Sequence, residues 1–171
     1  MYNEVISERF QNLKNAGMIT GADAVGQAGS VGAGDMIKIY LRVVDSVIKD
    51  AKFKTFGSVY GLAASDILCD MLKNKSLEDA LQIKGDDIVN ALKGLPDNKM
   101  HIAELTQSVV ANAIEDYHKK QERLAKAKKW LPMLDYSVIQ KAKLKLDAIN
   151  ELVASKKQEL DTLLKKQEHE Q

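Results

Sequence analysis

The sequence predicts an α+β fold in which a small antiparallel sheet packs on helices and a long helical hairpin follows. Three observations carry this reading. Residues 36–56 hold two successive apolar runs of period two, the period lengthens to about 3.6 beyond residue 58, and the charge balance changes sign near residue 118.

Tyr2, Val5, Ile6, Phe10 and Leu13 recur at helical spacing, with Gly17 just beyond as a left-handed stop, so a first helix is expected. The glycine-rich stretch ITGADAVGQAGSVGAGD offers only its middle, ADAVGQA, as a short edge strand. Ile37, Ile39, Leu41 and Val43 then share one face of a strand and Lys38, Tyr40 and Arg42 the other. The turn VDSV reverses the chain into a second strand, Val47–Phe56, in which Ala51, Phe53 and Thr55 oppose Lys52, Lys54 and Phe56. Tyr60, Ala63, Ala64, Ile67, Leu68, Met71 and Leu72 form the stripe of a core helix. Ser76 with Asp79 reads as the cap of a short helix to Ile83, and Asp86 as the cap of another that ends at Gly94.

The loop LPDNKM leads to His101, where a long helical pattern begins and runs through Val110, Ala113, Tyr117, Leu124, Ala127 and Leu131 to the WLPMLDY break. In the helix that starts near Ser137, Ile139, Ala142, Leu146, Ile149, Val153, Leu160 and Leu163 follow steps of three and four, interrupted at Lys156. Such a heptad-like seam needs a partner. A helix from Ser137 to His169 is about 50 Å long, so we expect an antiparallel hairpin, Tyr117–Leu131 against Ser137–Glu151. The remaining turns then pack elsewhere or on another chain, which makes a homo-oligomer through the C-terminal helices one expectation.

Composition sets limits on function. A chain of 171 residues, 45% apolar and 29% charged, suffices for one compact domain plus an appendage. Residues 1–118 carry 12 Lys and Arg against 16 Asp and Glu, net −4; residues 119–171 carry 13 against 8, net +5. The division suggests two modules, placed here at residues 1–125 and 126–171. No apolar run approaches the roughly 20 residues that cross a bilayer, and MYNEVISERF lacks the layout of a secretory signal, so a soluble cytoplasmic protein without a membrane partner is expected. Cys69 is the single cysteine, which fits a reducing compartment; within its helix it reads as a small buried hydrophobe. The basic run HKKQERLAKAKK is interleaved with Glu122 and has no stacking aromatics, so it reads as a solvated helix face rather than a nucleic-acid site, and His118 and His169 as solvated side chains. No phosphate loop, nucleophile elbow or metalloprotease motif occurs, and no enzyme activity is expected.

Three loops share a design. VGAGD precedes a strand, FGSVYG joins a strand to a helix, and KMHIAE opens the long helix, so each sets small or flexible backbone at the end of a regular element. The stretches MYNEVISERFQNLKNAG, GDMIKIYLRV, IKDAKFKTFG, LPDNKMH and AIEDYHKKQ, in this order, resemble the NifU/IscU family of iron-sulfur cluster assembly scaffolds over residues 1 to about 125. The resemblance implies an IscU-like fold whose three corners hold a nascent cluster through cysteine thiolates, with an aspartate and a histidine beside them.

Every implied thiolate is replaced. Ala33 stands in the Cys-Gly-Asp position, Ser58 in the Phe-Gly-Cys position and Ile102 in the His-Cys position, while Asp35 and His101 remain. Neither alanine nor isoleucine has a lone pair to give iron, and a neutral serine is a weak ligand, so no cofactor and no cluster is expected at these corners. Persulfide transfer needs a thiolate as well. The alternative is a single iron or zinc ion on Asp35, His101 and Glu104, the last one helical turn after the histidine. The family's chaperone-docking LPPVK segment appears as LPDNK, in which Leu95, Pro96 and Lys99 match and Asp97 and Asn98 do not. The expected role is that of a pseudo-scaffold, an adaptor or regulator for a cysteine desulfurase or another iron-sulfur assembly factor.

Overall fold

The computed structural model describes residues 2–30, 34–130 and 136–169, with side chains described except at residues 30, 130, 136–139 and 158–169. Ala33, the Pro132 break and the side chains of Ile139, Leu160, Leu163 and His169 lie outside the described residues. The elements are α1 (Glu4–Gln11), β1 (Ala24–Ser30), β2 (Asp35–Val44), β3 (Val47–Phe56), α2 (Val59–Leu72), α3 (Leu77–Leu81), α4 (Gly85–Ala91), a 3-10 turn (Asp97–Lys99), α5 (His101–Trp130) and α6 (Tyr136–His169). The chain divides into two compact units, Met1–Arg123 and Leu124–Gln171.

The first unit is built on an antiparallel sheet of order β1-β2-β3. Asp45 and Ser46 have φ of 50° and 60°, the left-handed pair that matches the twist of a two-residue hairpin between β2 and β3. The expected alternation holds in β2, where Ile37, Ile39 and Leu41 are fully buried. In β3 it changes phase: Ile48 is buried as well as Ala51 and Phe53. The cause is a bulge, since Arg42 faces Asp50 but Val43 faces Ile48, which leaves Lys49 as the extra residue. These side chains join Ala64, Leu68 and Leu72 of α2, Ile6 of α1 and Val109 and Ala113 of α5 in one core.

Local chemistry sets the helix ends. Asn3 caps α1 by accepting the Ile6 N–H at 2.9 Å and donates to the Leu92 carbonyl at 2.8 Å. The helix stops at Gln11, well before the expected stop at Gly17. Tertiary pairing takes over: the Phe53 N–H donates to the Asn15 carbonyl at 3.0 Å and the Gly17 N–H to the Phe53 carbonyl at 2.8 Å. Ser76 caps α3 as expected, accepting from the Asp79 N–H at 3.0 Å. The cap of α4 differs, because Asp87 rather than Asp86 accepts the Lys84 N–H, at 2.8 Å, and the helix starts at Gly85.

Helix α5 covers β1. Asp116 accepts the Val25 N–H at 2.8 Å and the Asn112 amide donates to the Gln27 carbonyl at 2.8 Å, so the edge strand's open backbone is taken up. The close approach depends on Gly26, where an added Cβ would collide with the Val109 carbonyl and reach 2.8 Å from the Ala113 Cβ. Gly26→Ala should therefore cost about 2 kcal/mol by overpacking, read as a lower urea midpoint at unchanged slope. An unchanged midpoint would show that α5 can lift from the sheet freely.

In the second unit every side chain described, residues 124–129 and 140–157, is exposed. Leu124, Leu146, Ile149 and Val153 are each more than half accessible. The expected hairpin thus buries none of the described seam. The stretch LAKAKKW that closes α5 offers Leu124, Ala125 and Ala127 as its only described apolar residues, too little surface to cover it. Among the described residues no helix is long and apolar enough to cross a membrane.

Candidate functional site

Asp35 opens β2 directly opposite Ser30 of β1, and its residue is 5% exposed. A buried carboxylate needs partners. The chain supplies them from two other places. After β3 the backbone turns at Gly57, with φ of 142°, and the Ser58 N–H and hydroxyl donate to Asp35 Oδ1 at 2.9 and 3.2 Å. From the start of α5, His101 Nε2 lies 2.9 Å from Asp35 Oδ2, and the Lys99 ammonium stands 3.8 Å from the same oxygen. The loops carrying Asp35, Ser58 and His101 therefore meet at one carboxylate.

The turn that allows this has a specific requirement. An added Cβ at Gly57 would collide with Asp35 Oδ1, in a backbone conformation that side chains rarely adopt. Ser58 also serves as the N-cap of α2, accepting from the Gly61 N–H at 3.4 Å. Its hydroxyl is thus engaged on both sides.

Burial alone would push the Asp35 carboxyl up. The Ser58 N–H, His101, the Lys99 ammonium and the Ser58 hydroxyl outweigh it and hold the group below the usual carboxylate range. Such a carboxylate is a poor proton acceptor at neutral pH. The serine and histidine both bond to the aspartate, an arrangement unlike the serine-histidine pairing that activates a nucleophile.

Other residues singled out in the sequence go elsewhere. Ile102 is fully buried in the core, one residue from a histidine that is half exposed. Glu104 lines a cavity of about 300 Å³ with Lys84, Gly85, Asp86, Met100, Ala103 and Gln107, apart from Asp35. Among the described residues no group of three or more histidines, cysteines or acids stands close enough to hold a metal. Leu95 packs against the core and Pro96 precedes the 3-10 turn that presents Lys99. The sequence marks Lys99 only as part of the docking-like segment. Its contact with Asp35 was missed, though a lysine two residues before the histidine was a visible signal.

The donor set at Asp35 does not suit an iron-sulfur cluster. A carboxylate, a hydroxyl and an imidazole are all oxygen or nitrogen donors, and the carboxylate's second oxygen is bonded to His101 with an ammonium 3.8 Å away. The single thiol, Cys69, lies fully buried within α2, where burial and the neighbouring Asp66 push its pKa well above the ordinary thiol value.

Residues 1–124 match the family model described as the NifU-like N terminal domain. The chain is 41% identical over 128 residues to iron-sulfur cluster assembly scaffold protein IscU 1 of Archaeoglobus fulgidus, which covers 75% of this chain and 84% of that protein. It is 36% identical over 125 residues to the iron-sulfur cluster assembly scaffold protein IscU of Escherichia coli K12, covering 71% of this chain and 97% of that one. Among solved structures, the N-terminal part of a nitrogen-fixing NifU-like protein from Brucella abortus superposes with a TM-score of 0.58 at 20% identity, over 69% of this chain and 94% of that one. This last likeness is one of fold.

Proposed function

The chain belongs to the NifU-like N-terminal domain family over residues 1–124, and from that premise we propose that it is a pseudo-scaffold, a non-enzymatic adaptor or regulator in iron-sulfur cluster assembly that does not itself carry the cluster. The supporting observation is the closed polar knot at Asp35. The two oxygens of this carboxylate are bonded to Ser58 and His101, the Lys99 ammonium stands beside them, and none of the groups described around it is a thiolate. With Ala33, Ser58 and Ile102 at the positions where the family resemblance implies cysteines, iron and sulfide find neither soft ligands nor a free anionic site. A retained surface for a cysteine desulfurase or a related assembly factor is then the useful part of the fold.

The alternative, an iron or zinc ion on Asp35, His101 and Glu104, has weaker support. The ion would have to break the direct His101–Asp35 hydrogen bond and settle beside the Lys99 ammonium 3.8 Å from Oδ2, and Glu104 lines a separate cavity. Titrating zinc or ferrous iron into the protein by calorimetry should give no saturable heat that depends on Asp35 and His101. A site lost in both Asp35→Ala and His101→Ala would favour the alternative.

The main test is reconstitution. Protein incubated anaerobically with ferrous iron and sulfide, then desalted, should be colourless, with less than stoichiometric iron and no acid-labile sulfide. A visible cluster absorption band that persists in Cys69→Ser would overturn the pseudo-scaffold reading. Binding of a purified cysteine desulfurase by the same colourless protein is expected under the adaptor role.

A further inference from the structure

Helix α6 spans Tyr136–His169, about 50 Å, and presents an apolar seam with no cover among its described residues. Ala142, Leu146, Ile149 and Val153 follow one another at steps of four, three and four, the a and d spacing of a helix that packs lengthwise on another helix. Leu146 and Ile149 are each 57% exposed and Val153 61%.

The charges around this seam are sorted. Over residues 140–157 five lysines face only Asp147 and Glu151, a net charge of +3. Relative to the seam, Asp147 and Glu151 fall at the outward b and f positions. The positions that flank it, e and g, hold Lys143, Lys145, Asn150, Leu152 and Lys157, with no acid among them.

That pattern selects among occupants. In a parallel coiled coil of two α6 helices lysine would meet a neutral residue at each flanking contact, and in an antiparallel one aligned end to end only Lys145 would meet an acid, Glu159 at a g position, so a second copy leaves Lys143 and Lys157 unmatched. A membrane-surface helix carries a continuous broad apolar face with aromatic anchors, whereas residues 140–157 contain no aromatic, and Lys141, Lys145 and Lys156 interrupt the apolar residues beside the seam, Leu144, Ala148 and Leu152. A helix with a matching a and d seam and acids at its own flanking positions satisfies both the apolar strip and the lysines.

We propose that α6 is a docking arm for an acidic amphipathic helix of a partner protein, which seats its apolar heptad face on Ala142, Leu146, Ile149 and Val153 and pairs its flanking carboxylates with Lys143, Lys145 and Lys157. This assignment is independent of what the first unit does with iron.

The test uses the full chain and two fluorescent four-heptad synthetic peptides with leucine and isoleucine in the seam, one with glutamate and one with lysine at every flanking position. Anisotropy should show saturable binding of the glutamate peptide and binding of the lysine peptide weaker by about tenfold or more. The combined variant Lys143→Glu, Lys145→Glu, Lys157→Glu should reverse that preference, a gain that an unfolded helix cannot give. Leu146→Asn with Ile149→Asn should lose both peptides. Equal binding of the two peptides, or a preference that charge reversal leaves in place, overturns the proposal. So does self-association of the full chain that Leu146→Asn with Ile149→Asn dissolves, or a glutamate peptide that fails to bind while phosphatidylserine vesicles do.

Discussion

Asp66→Ala should lower the thermal midpoint by roughly 10–15 °C, because it dismantles a buried charge network for a destabilisation of about 3–5 kcal/mol. The Asp66 side chain is completely buried in α2. One oxygen accepts the Lys14 and Asn15 N–H groups at 2.9 and 2.8 Å, and the other accepts Arg9 at 2.8 Å. Arg9 also reaches Asp70 at 2.5 Å, and the Asn15 amide donates to the Asp66 carbonyl at 3.0 Å and to Asp70 Oδ1 at 2.8 Å. Truncation leaves Arg9 one partner in Asp70 but strands two backbone donors, one of them on the fully buried Asn15. Those donors hold residues 14–17 against β3, so the same change should expose amides around Phe53 to hydrogen exchange. Asp66→Asn keeps an oxygen for the two N–H groups and loses the ionic contact, so its cost should be about half. A midpoint within about 3 °C of the wild type for Asp66→Ala would mean that this network contributes nothing the solvent cannot replace.

Asp66 also shows where the sequence was hard to read. Periodicity places α2 well, since Ala63, Ala64, Ile67, Leu68 and Leu72 are all buried as their spacing implies. It says nothing of an acid inside that stripe whose partners lie more than 50 residues away in α1 and the turn after it. The same limit explains the end of α1, where Asn15 and Gly17 pair with Phe53 and override local helical spacing. The turn and β3, Val47–Phe56, were legible to the residue and β2 by its alternation, because both signals are local; the bulge at Lys49 escaped, being a property of the pairing. At the candidate site, Asp35, Ser58 and His101 were legible as loop ends and by resemblance. The engagement of Lys99, the inward placement of Ile102 and the separation of Glu104 depend on how the 3-10 turn and α5 enter the fold.

Gly57→Ala should also have a large effect, and it reaches the candidate site directly. The φ of 142° is a conformation that alanine holds only with strain, and the new methyl would occupy the space of Asp35 Oδ1. Both effects act together for a loss of about 3 kcal/mol at neutral pH. The pH dependence separates them. Ser58, His101 and Lys99 hold the Asp35 carboxyl below its ordinary range, so the ionised form stabilises the folded state. That contribution is complete above the unfolded-state value, about 4, and disappears as pH falls through the lower folded-state value. In Gly57→Ala the carboxylate is pushed out of its bonds, and the contribution should be absent at every pH. The stability gap between wild type and variant, measured by urea unfolding from pH 7 to below the unfolded-state value, should therefore begin to narrow once the pH falls under about 4. Asp35→Asn removes the charge without the strain, and its gap should narrow over the same range with no strain component left behind. A gap for Gly57→Ala that stays constant with pH would place the whole cost in the backbone and would show that the carboxylate keeps its partners despite the added methyl.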